Sequence, residues 1–148
     1  MIHSVMHRLH NPSLALFLLR IGLGVVFVYH GYQNFSTMDQ TVGYFATIGI
    51  STFWAYVAVY TELIGGALLI LGLWVRYAGM FLTVLMGVAI NAVHLKHGFS
   101  LSNGGYEYAL LLLLGSASLV FSGSGRYSLA HYIRHSAFCR DCHIGVHA

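Results

Sequence analysis

Four long apolar stretches, separated by short polar connections, dominate the pattern of this chain. They cover about residues 13–35, 53–74, 77–95 and 106–122. Each is close to the roughly 20 apolar residues that a membrane-spanning helix needs. Asn11, Pro12 and Ser13 precede the first stretch and are typical of a helix start. The pattern therefore predicts an all-α integral membrane protein built as a four-transmembrane-helix bundle.

The remaining segments predict two shorter features. Residues 36–52 mix polar positions with Tyr44, Phe45, Ile48 and Ile50, which predicts a short segment on the outer membrane face between helices 1 and 2. After residue 128, Leu129, Tyr132 and Ile133 fall on one helical face, which is typical of a C-terminal amphipathic helix at the membrane interface. We expect one transmembrane domain, residues 1–130, followed by a cytoplasmic tail, residues 131–148.

Composition supports a membrane protein and excludes other classes. The chain is 57% hydrophobic and 7% charged, whereas an ordinary soluble domain is about 25% charged. The net charge of +3 has no arginine or lysine cluster behind it, so the expected partner is the lipid bilayer and not nucleic acid. Lys96 stands alone on one side of the predicted topology, and five arginines belong to the other. Both termini are therefore expected in the cytoplasm. The five are Arg8, Arg76, Arg126, Arg134 and Arg140.

Two ionisable residues lie deep inside the predicted spans. At 1.5 Å per residue, Arg20 lies roughly 22 Å and Glu62 roughly 14 Å below the outer surface. Two unpaired charges at this depth would cost far more than a pair. We therefore expect an intramembrane ion pair between Arg20 and Glu62. The pair would either fix the register of the helices or form a gate in a substrate pathway.

A second polar group is expected within about 10 Å of the outer surface. It could line a cup that suits a quinone headgroup, a divalent metal or a proton relay. The alternative is a purely structural role, in which the histidines donate to backbone carbonyls and the tyrosines belong to an aromatic belt. The candidate ligand-binding residues are His30, Gln33, Asn91, His94, Tyr106 and Glu107.

The tail contains C-R-D-C-H, which matches the spacing of covalent haem attachment. Haem is attached outside the cytoplasmic membrane, so a cytoplasmic tail argues against haem here. Thiolate and imidazole ligands would suit zinc or cuprous copper. A reduced tail without a fixed ligand is the alternative. The candidate metal ligands are His131, His135, Cys139, Cys142, His143 and His147.

Five stretches in this order resemble the DoxX family of small bacterial membrane proteins. They are LRIGLGVVFVYHGYQNF, ELIGGALLILGLWVR, the H-x-x-x-G-F that begins at His94, GGYEYALLLL and GSGRYSLA. The resemblance spans about residues 13–130. It implies a four-helix protein of the bacterial inner membrane. Relatives include DoxD-type subunits of a thiosulfate:quinone oxidoreductase and proteins associated with oxidative stress. The family's recurrent polar positions match Arg20, His30, Glu62, His94, Tyr106 and Glu107, and no catalytic role is carried over.

Three functional hypotheses follow. The first is a redox-associated membrane subunit that contacts quinone or a similar small molecule near the outer leaflet. Quinone reduction needs an electron donor, so a partner membrane or redox subunit is expected. The subunit itself could be non-catalytic. The second is a carrier or exporter of an organic molecule or metal, and the third is a structural accessory subunit of a larger complex.

Overall fold

A computed structural model describes the backbone of residues 11–143 and the side chains of residues 11–136. Within this range the chain forms helices and no strands, which confirms the predicted all-α class. The α-helices are α1 (Pro12–Ser36), α2 (Met38–Thr47), α3 (Thr52–Leu71), α4 (Val75–Ala89), α5 (Glu107–Ser122) and α6 (Leu129–His143). A π turn (Ile90–His94) and a 3₁₀ turn (Leu95–His97) extend α4, and a second 3₁₀ turn (Leu101–Asn103) precedes α5.

Three helices are long and apolar enough to cross a membrane: Pro12–Ser36, Thr52–Leu71 and Val75–His97. The fourth predicted span, Glu107–Ser122, is an apolar helix of 16 residues. At 1.5 Å per residue α5 is about 24 Å long, against about 30 Å for the hydrocarbon core. Over residues 11–143 this membrane protein is therefore all-helical, with three full-length apolar helices and one shorter apolar helix.

The helix start predicted at residues 11–13 is confirmed. The Asn11 side chain accepts a hydrogen bond of 3.1 Å from the Leu14 backbone N–H, and Pro12 lies in the first turn. An N-cap of this kind satisfies one of the backbone donors that the first turn leaves free. Proline costs nothing at this position because its missing N–H would have had no partner within the helix.

Small residues bring the helices together in two close pairs. A Cβ at Gly24 of α1 would lie 2.8 Å from the Gly66 carbonyl oxygen of α3, and a Cβ at Gly66 would lie 2.8 Å from the Gly24 carbonyl oxygen. In the second pair, a Cβ at Gly79 of α4 would lie 2.9 Å from the Ser116 carbonyl oxygen of α5. Such close approach provides the van der Waals packing that holds helices together where lipid removes the hydrophobic driving force.

The turn between α3 and α4 is short and contains residues with positive φ. Gly72 has φ +71° and Trp74 has φ +45°. The turn lies at the same end of the bundle as residues 123–128, because the Arg20 side chain contacts both segments. We call this the turn end. The other end, which carries α2 and the loop of residues 98–105, is called the α2 end.

Glu107, Leu111, Gly115, Ser118 and Ser122 recur at three- and four-residue spacing, which predicts that they form the buried face of α5. The structure buries a different face, since Leu111 is 65% exposed and Ser118 is also exposed. Ser116 is 0% exposed, because its carbonyl group packs against Gly79. The residues that α5 buries are Ala109, Leu112, Ser116 and Leu119. The run LLLLL is apolar at every position, so its periodicity cannot define a face.

Candidate functional site

The predicted ion pair between Arg20 and Glu62 is wrong. Arg20 is 1% exposed, and its Nη1 and Nη2 donate to the carbonyl oxygens of Ser124 at 3.0 Å and Tyr127 at 2.7 Å. Its Cζ atom lies 5.7 Å from the centre of the Phe17 ring. Glu62 instead accepts a hydrogen bond of 3.1 Å from Asn34 Nδ2. Arg20 thus ties α1 to the segment that follows α5 at the turn end.

The direction of side chains along a helix explains this separation. Every Cα–Cβ bond tilts toward the N-terminus of its helix. α1 begins at the turn end and finishes beside α2, whereas α3 begins just after α2. Arg20 therefore leans toward the turn end, and Glu62 leans toward the α2 end. Counting depth by Cα position alone overlooks this divergence.

A cavity of about 300 Å³ lies between α1, α3, α4 and α5 in the half of the bundle nearer α2. We call it the central cavity. His30, Glu62, His94 and Tyr108 supply its polar groups. The rings of His30 and Tyr108 have centroids 6.0 Å apart. Its other lining residues are Phe27, Met86, Ala89, Leu101, Gly105, Ala109 and Leu112.

A second cavity, of about 500 Å³, lies beneath α2, and we call it the α2 cavity. Its lining includes Asn34, Gln40 and Thr41 from the region around α2. Thr41 is buried and donates a hydrogen bond of 3.0 Å to the Asn34 carbonyl oxygen, which fixes α2 to the end of α1. Glu62 and His94 line both cavities, together with Met86 and Ala89. The carboxylate and the imidazole therefore lie where the two cavities meet.

Local backbone geometry positions His94. It is the last residue of the π turn, and the Leu95 N–H bonds to the Ile90 carbonyl, one residue further back than in an α-helix. Such π turns insert one residue and are frequent at functional sites. His94 Nδ1 lies 2.8 Å from the Gly104 carbonyl oxygen. Because a carbonyl only accepts, Nδ1 carries the proton, and Nε2 of the neutral ring is left as an acceptor.

Four of the predicted cup residues lie outside both cavities. Gln33 is exposed and donates to the Tyr29 hydroxyl at 3.1 Å. Asn91 is exposed at the π turn. The Tyr106 ring packs edge-on against Phe99 at 5.4 Å, and Glu107 Oε2 accepts a hydrogen bond of 3.1 Å from the Leu101 N–H. Tyr106 and Glu107 thereby stabilise the 98–105 loop. These four residues are therefore not brought together with His30 and His94 in the cavities.

Glu62 and Asn34 line the cavities but are not among the predicted cup residues. Both could have been found from the tilt of side chains toward each helix N-terminus. The phenol of Tyr108, beside the predicted Glu107, was also expected to contribute to the cup, and Tyr108 lines the central cavity.

The arrangement joins acid–base groups to an apolar enclosure. A carboxylate, two imidazoles, a phenol and an amide converge between walls made mainly of aliphatic and aromatic side chains. Such a site can hydrogen-bond the carbonyl or hydroxyl groups of a small ring and pass protons to or from it. Among the residues whose side chains are described, no group of three or more His, Cys, Asp or Glu is placed to hold a metal ion.

Most of the candidate metal ligands in the tail lie outside the described side chains. Cys139, Cys142, His143 and His147 are in this group. His131 and His135 lie one turn apart on α6, with ring centroids 4.9 Å apart. The zinc or copper site therefore stays a prediction.

Comparison with known proteins identifies the family. The model of the DoxX family matches residues 15–95, which is more than half of the chain. The chain belongs to the DoxX family. A Bacillus subtilis relative named "Putative oxidoreductase CatD" is 38% identical over 116 residues, covering 78% of this chain and 84% of the relative.

Other DoxX relatives carry less informative names. An uncharacterized membrane protein of Mycobacterium tuberculosis is 36% identical over 124 residues, covering 75% of this chain and 76% of the relative. An uncharacterized Haemophilus influenzae protein is 35% identical over 116 residues, covering 75% of this chain and 84% of its own. No solved structure matches this DoxX chain significantly.

Proposed function

We propose that this DoxX protein is a redox-associated membrane subunit that binds the headgroup of a quinone between the central cavity and the α2 cavity. The observation that carries the proposal is that Glu62 and His94 line both cavities. A quinone ring needs a hydrogen-bond partner at its carbonyls, an apolar enclosure for its faces and a route for protons. The relative named as an oxidoreductase supports a redox context.

Each polar residue has a role in this proposal. His30, beside Tyr108, donates a hydrogen bond to one carbonyl of the quinone. His94, whose Nδ1 proton is held by Gly104, offers Nε2 as the acceptor for the hydroxyl at the other end of the ring once the quinone is reduced to the quinol. Glu62, held by Asn34, exchanges protons with the ring oxygens through the same space. Reduction of a quinone to a quinol takes up two electrons and two protons. We propose that a partner redox protein supplies the electrons.

The orientation of the protein is also proposed. Arg76 lies at the turn end, where its Nε would be 3.3 Å from a Cβ at Gly123, and Arg126 and Arg134 follow α5. Lys96 lies at the α2 end. With four spans in a bacterial inner membrane, the positive-inside rule puts the turn end and both termini in the cytoplasm and the candidate site near the outer leaflet. Reporter fusions at the two chain ends and in the 98–105 loop would test this topology.

Binding of a tailless benzoquinone to purified protein in lipid nanodiscs tests the function. Equilibrium dialysis against empty nanodiscs separates binding to the protein from partition into lipid. We expect Glu62→Gln and His94→Ala each to weaken binding of the reduced form, the quinol, about tenfold in the same assay, which corresponds to about 1.4 kcal/mol. Wild-type protein that binds no more quinone than empty nanodiscs do would overturn the proposal.

Gln33→Ala is the matched control. Gln33 is a polar residue near the same end of α1, but it is exposed and outside both cavities. Its substitution is expected to leave the affinity within about twofold, because the ring makes no contact there. Equal losses in Gln33→Ala and His94→Ala would contradict the assignment. Substrate flux through vesicles that contain this chain alone would instead favour the carrier hypothesis.

A further inference from the structure

An apolar groove of about 570 Å³ runs along the outside of α3 and α4 in the half of the bundle nearer α2. Trp54 and Val57 of α3 form one side of it, and Phe81 and Val84 of α4 form the other. All four side chains are apolar. Val84 is 61% exposed and faces outward. In a membrane protein this groove is in contact with the lipid hydrocarbon.

The groove is continuous with the candidate site. Phe45, Ala58 and Leu85 line both the groove and the α2 cavity. They therefore form the thin wall between the lipid-facing surface and the space that Glu62 and His94 share. Ala58 has the smallest side chain of the three, so it obstructs passage from groove to cavity least.

A second apolar groove continues the first toward the turn end. It has a volume of about 580 Å³, shares Val57, Thr61 and Phe81 with the first, and reaches Trp74 and Tyr77. Together the grooves line α3 from Phe53 to Leu68. At 1.5 Å per residue this is about 24 Å, which is most of the roughly 30 Å thickness of the hydrocarbon core.

We propose that this DoxX protein binds a polar-headed amphiphile with a long isoprenoid tail, and that the tail lies in the α3–α4 groove while the headgroup passes Ala58 into the α2 cavity. This inference rests on the proposed quinone function and specifies its substrate class. The headgroup would reach Glu62 and His94 from the lipid phase, beneath α2. A polar cavity joined to a long apolar groove matches a polar head joined to a long apolar tail, whereas a phospholipid chain or a second copy of the protein would need no access to Glu62.

The test compares a tailless quinone with an isoprenoid quinone in the same nanodiscs. Val84→Trp fills the groove without touching either cavity, since Val84 lines neither. Val25→Trp is the matched control, because Val25 of α1 is 55% exposed and lies outside the grooves and cavities described here. The isoprenoid quinone is titrated at known mole fractions in the bilayer as a competitor of the bound tailless quinone. Affinities are compared with wild type for each ligand separately, so partition into lipid cancels.

We expect Val84→Trp to weaken the isoprenoid quinone at least fivefold and to leave the tailless quinone within twofold. Val25→Trp should change neither. A quinone with a photoreactive group at the tail end should label α3 and α4, and not α1. Equal effects of the two tryptophan substitutions, no loss in Val84→Trp, or an altered oligomeric state in Val84→Trp would each overturn the inference.

The two proposals fail differently. If the tailless quinone binds in a manner that depends on Glu62 and His94 but the tail result is negative, the quinone function stands and the groove assignment falls. If neither ligand binds, the function itself is wrong, and the groove assignment falls with it.

Discussion

Gly72 makes room for the buried guanidinium of Arg20, and Gly72→Ala tests how much that contact stabilises the fold. A Cβ at Gly72 would overlap Arg20 Nη1 and would lie 2.6 Å from Ser128 Cβ. The residue also has φ +71°, in the left-handed region. An alanine there would be strained and would displace the group that bonds the Ser124 carbonyl at 3.0 Å.

The expected cost has two main parts. Left-handed backbone at an L-residue costs about 1 kcal/mol. Loss of a hydrogen bond from a charged donor costs about 1.5–3 kcal/mol. Gly72→Ala should therefore lower the free energy of unfolding by about 2.5–4 kcal/mol, taking both terms together. Gly49→Ala is the control, because Gly49 has φ +78° and no atom within 4 Å of its added Cβ. It should cost only about 1 kcal/mol.

Reversible unfolding by SDS in mixed micelles, followed by circular dichroism, measures both variants. A double-mutant cycle with Arg20→Met isolates the contact from the strain, because the overlap with Ser128 persists in both backgrounds. The coupling between Gly72→Ala and Arg20→Met is expected to be about 1.5–3 kcal/mol, the value of the hydrogen bond. Equal losses at Gly72 and Gly49, or additive effects in the cycle, would refute the reasoning.

Three further substitutions are predicted from contacts described above. Gly66→Leu should separate α1 from α3 and lower stability in the same SDS assay, whereas Gly22→Leu should have little effect, because a Cβ at Gly22 meets nothing within 4 Å. Asn34→Ala removes the hydrogen bond to Glu62 and should weaken tailless quinone binding about threefold to tenfold, with unchanged affinity counting against the site. Glu107→Ala removes the acceptor of the Leu101 N–H, so amide hydrogen exchange in residues 98–105 should speed up about tenfold; unchanged exchange would contradict the loop-stabilising role.

The sequence allowed the helices to be predicted more accurately than their faces. Asn11 and Pro12 define the start of α1 through capping chemistry that is local in the chain. The segment between the first two spans was expected to lie at the surface, and the structure forms α2 there, Met38–Thr47. These features depend on neighbouring residues, so a single sequence contains the information for them.

The candidate site was predictable only in part, because it depends on direction and on tertiary packing. His30 and His94 were expected near one end of the bundle, and both line the central cavity. Glu62 was assigned to Arg20 by depth, and only the opposite tilt of side chains on antiparallel helices separates them. The π turn before His94 involves one inserted residue that no periodic pattern indicates.

The bundle consists of two tightly packed halves, α1 with α3 and α4 with α5, which are joined covalently at the turn end. Arg20 links the two halves a second time at the turn end, because it connects α1 to the segment that follows α5. Relative motion of the halves is therefore expected to resemble the opening of a hinge whose axis passes near Gly72. The displacement of such a hinge grows with distance from its axis, so it is larger between Ala58 and Leu85 than beside the turn. Spin labels on α3 and α4 should show a broader distance distribution beside α2 than beside Gly72.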